Sequence, residues 1–307
     1  MIDFVGKRYW YFLLSAVLIV PGIISLILFG LKPGADFKGG SDLTAQFDPN
    51  VTQSELRAEL GKLGYSDAVI QSTSGGQYII RLREITSDEK KALEADLGKG
   101  LNATVTEVDF SSVSATVASQ TVRYAIIAII IAAVAILLYI TFAFRKMPNP
   151  FRWGTCAIIA LAHDILLVLG IFSLLGKLAG IEVDTLFITG MLTVAGYSVH
   201  DTIVVFDRIR ENTIKGIDPS FERVVNYSIL QTIGRSLNTS LTVLFVLLAL
   251  FLLGGTTIHY FILVLLIGIT TGTYSSVCNA SQLLIVWNNH EWGRFIGIKP
   301  KQAEAKA

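Results

Sequence analysis

Six long apolar runs constrain this chain more than any other feature: Trp10–Leu31, Tyr124–Phe144, Trp153–Leu175, Val183–Phe206, Leu237–Gly254 and Tyr260–Trp287. A helix crosses the hydrocarbon core with roughly 17–25 residues. Five runs fit that range, and the sixth is long enough to tilt or extend past the interface. Membrane strands are about half as long and alternate, which these runs do not. The sequence therefore predicts a six-span helical membrane protein. Charged residues make up only 16% of the 307 residues, below the share usual for a soluble domain.

Lysine and arginine predict the orientation. With the amino terminus inside, the inner segments carry Lys7 and Arg8, then Arg145, Lys146 and Arg152, then Arg208, Arg210, Lys215, Arg223 and Arg235, and finally Arg294, Lys299, Lys301 and Lys306. The two short outer loops carry only Lys177. The long first loop is excluded from the comparison, because long loops translocate largely regardless of charge. Both termini are expected in the cytoplasm. The first run lacks an A-x-A-like cleavage site and reads as a retained anchor, with Pro21 as a candidate kink. Cys156 and Cys278 fall in separate spans and suggest neither a disulfide framework nor a metal site. The net charge of +1 gives no sign of nucleic-acid binding.

These signals divide the chain into a cytoplasmic terminus and first span (1–31), a soluble head (32–121), five further spans (122–290) and a cytoplasmic tail (291–307). Within the head, Leu43–Phe47 alternates as a strand. Thr52–Gly64 reads as a helix, with Thr52 and Glu55 forming a capping box. "AVIQS" and "YIIRLR" read as strands flanking the turn residues Ser74, Gly75 and Gly76. A second helix is expected to be capped by Ser87 and to end at Gly98 and Gly100, before a strand at Ala103–Phe110. The order β-α-β-β-α-β predicts a ferredoxin-like α+β unit on the outer side.

Ionisable groups inside apolar spans are costly and mark function. The fourth span holds His200 and Asp201, with Gly190, Val194, Tyr197, Asp201 and Arg208 on one helical face. Asp201 lies about 27 Å along a helix counted from Val183, in the inner third of the bilayer. In the fifth span Arg235, Asn238, Thr239 and Thr242 form a polar stripe. An antiparallel pair of spans would bring Asp201 and Arg235 within reach of one another. His163 and Asp164 sit mid-way along the third span. The sixth carries Thr270, Thr273, Tyr274 and Asn279, with Gly268 and Gly272 spaced for close packing. Taken one by one, these groups also fit bland roles: a snorkelling Arg235, a structural Asp201, helix-packing His163 and hydroxyl glue. Together they suggest a proton relay. A carboxylate suits that task, because an approaching or withdrawing guanidinium switches proton release and uptake.

The stretches "GYSVHDTIVVFDRIREN", "NYSILQTIGRSLNTSLT", "DFKGGS", "AHD" and "GTYSS" resemble the SecF group of the SecD/SecF family, within the resistance–nodulation–division superfamily of proton-driven transporters. These motifs run from residue 36 to residue 276. The resemblance implies a half-bundle of six helices that pairs with SecD beside the SecYEG channel and helps draw preproteins across the membrane with the proton gradient. It implies proton-relay roles for Asp201 and Arg235, with His200, Asp164, Asn238, Thr239 and Tyr197 as further relay or lining groups. Asp36, Gly39 and Gly40 match the family's D-F-x-G-G element. His200 stands where the family usually has Asn, and "IGRS" replaces the more usual S-R-T. The expected partners are SecD, SecYEG, the preprotein and membrane lipid. Beyond the proton gradient no cofactor is expected, and no metal or catalytic residue. A proton-driven exporter of small molecules remains an alternative, although such an exporter is expected to have large outer domains with an apolar, aromatic-lined cleft, and the single small head with few aromatics argues against it. An intramembrane hydrolase using Asp164 and Asp201 finds no G-x-G-D or H-E-x-x-H pattern.

Overall fold

The computed structural model describes residues 3–73 and 76–291. Six of its helices are long and apolar enough to cross a membrane. They are α1 (Arg8–Phe29), α5 (Ala115–Ala143), α6 (Pro150–Ala179), α7 (Thr185–Ile214), α8 (Phe221–Leu253) and a broken sixth span. The sixth consists of α9 (His259–Ser275), a π-helical turn (Ser276–Ala280) and α10 (Ser281–Asn288). Most of these helices outrun their apolar sequences, because polar first and last turns continue the backbone pattern past the hydrocarbon. Thus α8 begins sixteen residues before Leu237, and α1 passes through Pro21 without interruption.

α6, α7 and the sixth span are half buried and form the centre, while α1, α5 and α8 present mostly apolar side chains outward. The α7–α9 crossing is close because glycines remove side chains from it. A Cβ at Gly268 would lie 2.2 Å from Val194 Cγ2, and one at Gly272 would lie 3.0 Å from Ser198 Cβ. The Gly268–Gly272 pair thus serves the packing role its spacing suggests.

Between α1 and α5 lies the α+β head: a one-turn α2 (Ala35–Lys38), β1 (Gly40–Asp48), α3 (Gln53–Lys62), β2 (Val69–Ser72), β3 (Gln77–Leu82), α4 (Ser87–Leu101) and β4 (Thr104–Val113). The sheet order is β2-β3-β1-β4 and every pairing is antiparallel, as the ferredoxin-like reading requires. Alternation in β1 buries Leu43, Ala45 and Phe47 against Leu56 and Leu60 of α3 and Leu93 and Leu97 of α4. Thr52 and Glu55 form the expected capping box. On α4 the cap is Thr86, paired with Glu89, and Ser87 is the first helical residue. Gly98 and Gly100 lie inside that helix, which stops at Asn102 in a left-handed conformation. An asparagine can close a helix as glycine does, so the glycine signal came two residues early. Ser74 and Gly75 of the expected turn, and residues 292–307 of the expected tail, lie outside the described residues.

Candidate functional site

Short hydroxyl residues supply many of the buried polar groups, because they fit between close-packed backbones. On α8, Ser228, Thr232, Ser236 and Ser240 recur every four residues and are all buried. Arg235, Asn238, Thr239 and Thr242 lie on the exposed side of the same helix.

This arrangement corrects the expected pairing. Asp201 is 7% exposed, and its Oδ1 accepts a hydrogen bond of 2.6 Å from Ser236 Oγ. Its Oδ2 is buried with no donor among the described residues. Arg235 has the right depth, since its neighbour Ser236 meets Asp201, but a step of one residue turns it about 100° around the helix. Among the described residues no carboxylate pairs with Arg235. Thr239 Oγ1 and Thr242 Oγ1 bond back to the carbonyls of Arg235 and Asn238 at 2.9 and 2.7 Å. His200 faces outward on α7, while Tyr197 points toward Ser240, with its hydroxyl 3.4 Å from Ser240 Oγ. Burying a charged carboxylate without a counter-ion is costly. Asp201 therefore suits a group that exchanges a proton or meets a cation supplied from outside this chain.

Asp164 occupies a different setting. It is fully buried and accepts from His163 Nδ1 at 2.9 Å and from Ser198 and Ser275 Oγ at 2.6 Å each. It ties α6, α7 and α9 together. Next to it, Thr202 and Ser276 exchange a 2.8 Å bond across the start of the π turn. On the other side Ser15 of α1 bonds Asn279, and the Tyr274 hydroxyl reaches the Tyr11 carbonyl at 2.8 Å. Ser198, Ser236 and Ser275 were missed in the sequence. The four-residue hydroxyl ladder of α8 was the signal that could have revealed Ser236.

A second locus lies where the head meets the bundle. Asp36, in the D-F-x-G-G element, accepts the backbone N–H of Thr185 at 2.8 Å and so caps the first turn of α7. Glu182, on the α6–α7 loop, has a side chain only 8% exposed. It pairs with Lys32 at 3.1 Å and with Arg81 of β3 at 3.0 Å. Arg81 also reaches Asp42 of β1 at 3.5 Å. Burial raises the Asp42 carboxyl above its usual range, although the Arg81 guanidinium opposes the shift. Two backbone bonds lace the segments together: Gly34 N to Val183 O and Val183 N to Lys32 O, at 2.8 and 2.9 Å. The paired glycines let the linker through. A Cβ on Gly39 (φ +80°) would meet the Ala115 backbone at 2.9 Å, and one on Gly40 (φ +132°) would meet the Leu82 carbonyl at 2.7 Å. Sequence reasoning found Asp36, Gly39 and Gly40 but missed Lys32, Arg81 and Glu182, which are far apart in the chain. The helix that carries Asp201 is thus fastened to the head at its first turn.

Residues 94–290 match the model of the SecD/SecF protein-export membrane protein C-terminal region. The chain belongs to the SecD/SecF family. It is 49% identical to the protein translocase subunit SecF of Thermobaculum terrenum, over 99% of this chain and all of that one. Protein translocase subunit SecDF of Bacillus subtilis is 32% identical over 94% of this chain, which spans 38% of that longer protein. The crystal structure of SecDF from Thermus thermophilus, described as a translocon-associated membrane protein, superposes with a TM-score of 0.82 at 32% identity. The match covers 94% of this chain and 39% of that one. These likenesses make the chain a multi-pass membrane protein related to translocase subunits.

Proposed function

We propose that the chain is the SecF-type subunit of a Sec protein translocase, turning proton flow into movement of its head against an emerging preprotein. The observation that carries the reading is the mechanical link. α7 bears the buried, incompletely paired Asp201 near its middle, and at its first turn it is held to the head through Asp36–Thr185 and Glu182–Arg81. The excess of basic residues at the end of α7 away from the head supports cytoplasmic termini and an outer head. Proton exchange at Asp201 loosens or tightens its bond to Ser236, shifts α7 against α8, and passes the displacement through the clamp. A proton falling through about 100 mV releases roughly 2.3 kcal/mol, enough to bias a two-state equilibrium by tens of fold.

The exposed polar stripe of α8 fits a partner rather than lipid. A guanidinium facing hydrocarbon at depth costs about 2.5–3.5 kcal/mol even on insertion scales, and a facing carboxylate from a SecD-type subunit would offset that cost. The fused SecDF relatives, which are more than twice as long as this chain, support such a partner. A preprotein and a SecYEG-type channel complete the assembly. In gentle detergent the wild-type chain should co-purify with a SecD-type subunit from its native membrane, and Arg235→Met should reduce the recovered partner several-fold. Reconstituted together, the two should accelerate preprotein translocation only when a proton gradient is imposed. Recovery of an active monomer, or equal rates with and without the gradient, would overturn this reading.

A further inference from the structure

At the basic end of the bundle, a cavity of ≈ 330 Å³ opens between the first turn of α6 and the ends of α7, α8 and α10. Its walls include Asn149, Arg152, Thr213, Phe221, Trp287 and Asn288, and among the described residues no carboxylate lines it. Arg152 is 8% exposed, yet its charge has no counter-ion among the described residues. Its Nη1 donates to the neutral Asn288 Oδ1 at 3.1 Å, its Nε has no acceptor, and its guanidinium lies 5.9 Å from the Phe221 ring centre. It is also the third residue of a thirty-residue helix, where the backbone dipole already places positive charge. Asn149, at the cap position, is in a left-handed conformation (φ 52°), and its side chain makes no capping bond. A buried cation and an open helix N-terminus therefore converge on one space, and each alone favours an anion there.

We propose that this cavity binds the phosphate of an anionic phospholipid headgroup. The phosphate accepts hydrogen bonds from the Arg152 guanidinium and from the Phe151 N–H at the start of α6, while Phe221 and Trp287 flank the glycerol region. Aromatic side chains at a membrane boundary suit that level of a lipid, and the basic end of a membrane protein faces the leaflet richer in anionic lipid. The site depends on the chain being embedded in a membrane but not on its proposed role in export. A binding measurement therefore tests it independently of any translocation assay.

The test is native mass spectrometry of the full-length protein, titrated with phosphatidylglycerol, with phosphatidylcholine, or with inorganic phosphate alone. One tightly retained phosphatidylglycerol is expected, with phosphatidylcholine retained at least tenfold less. Arg152→Gln should weaken retention roughly tenfold or more, the worth of a charge-assisted bond, while Arg145→Gln on the exposed adjoining loop should leave it unchanged. Asn149→Asp guards against Arg152→Gln simply failing to fold. It places a negatively charged side chain of the same size at the mouth of the cavity and should repel the phosphate from an intact protein. Equal retention of the two lipids, or undiminished retention in Asn149→Asp or in folded Arg152→Gln, would overturn the site. Displacement of phosphatidylglycerol by millimolar inorganic phosphate would overturn the lipid as its occupant.

Discussion

Neutralising Glu182 should uncouple the head from α7 without unfolding either. Glu182 is the shared anion between Lys32 and Arg81, at 3.1 and 3.0 Å. Its side chain is 8% exposed, but those of Lys32 and Arg81 are 37% and 20% exposed and can regain water. Each contact therefore falls between the exposed limit of about 0.2–1 kcal/mol and the roughly 3–5 kcal/mol of breaking a buried pair. About 1–1.5 kcal/mol per contact is a fair figure, or about 2–3 kcal/mol for Glu182→Gln. That equals the roughly 2.3 kcal/mol a proton delivers across 100 mV, so a weakened clamp would yield before the head moves. In vesicles containing the complete translocase, Glu182→Gln should assemble normally and retain basal translocation, yet lose most of the gradient-dependent stimulation. Lys62→Gln, which removes an exposed pair with Glu59, is the control and should change nothing. Full stimulation in Glu182→Gln would refute the clamp as the path from α7 to the head.

Two further outcomes follow from the same geometry. Ser236→Ala removes the only donor to Asp201 among the described residues and should lower stability in detergent by about 1–3 kcal/mol and cut gradient-dependent stimulation, whereas Thr239→Ala should do neither; equal melts for the two variants would argue against the Ser236 contact. Asp42→Asn should raise the melting temperature at neutral pH but not in acid. The folded-state value of Asp42 is raised, so its charged form costs stability above that value, and the cost vanishes once pH falls below the unfolded value. A pH-independent difference in melting would contradict the burial argument.

The spans, the head topology and the position of Asp201 along its helix were legible because each rests on a periodic or compositional signal that local residues carry. Which way a helix turns is a different matter. The sequence of α8 contains two polar stripes: one of Arg235, Asn238, Thr239 and Thr242, the other of Ser228, Thr232, Ser236 and Ser240. Burial alone chose the second for the core. Reasoning from charge favoured Arg235, but close helix packing in a membrane favours small side chains at the contact. The clamp was hidden for another reason. Lys32, Arg81 and Glu182 belong to three segments joined only by folding, and no spacing relates them. Asp36 was noticed as part of a motif, yet its task became visible only in its 2.8 Å bond to Thr185.

The proposed coupling of proton flow to the head depends most directly on Asp201. Asn at that position keeps the size of the side chain and an acceptor for Ser236 but carries no proton to exchange. The decisive measurement is preprotein translocation into vesicles bearing the assembled complex, with and without an imposed proton gradient. Asp201→Asn is expected to assemble and support basal translocation while losing gradient-dependent stimulation, and Asp207→Asn, paired with Arg210 nearer the end of α7, should retain most of it. Full stimulation in Asp201→Asn would make the carboxylate a packing group and contradict the proposed coupling.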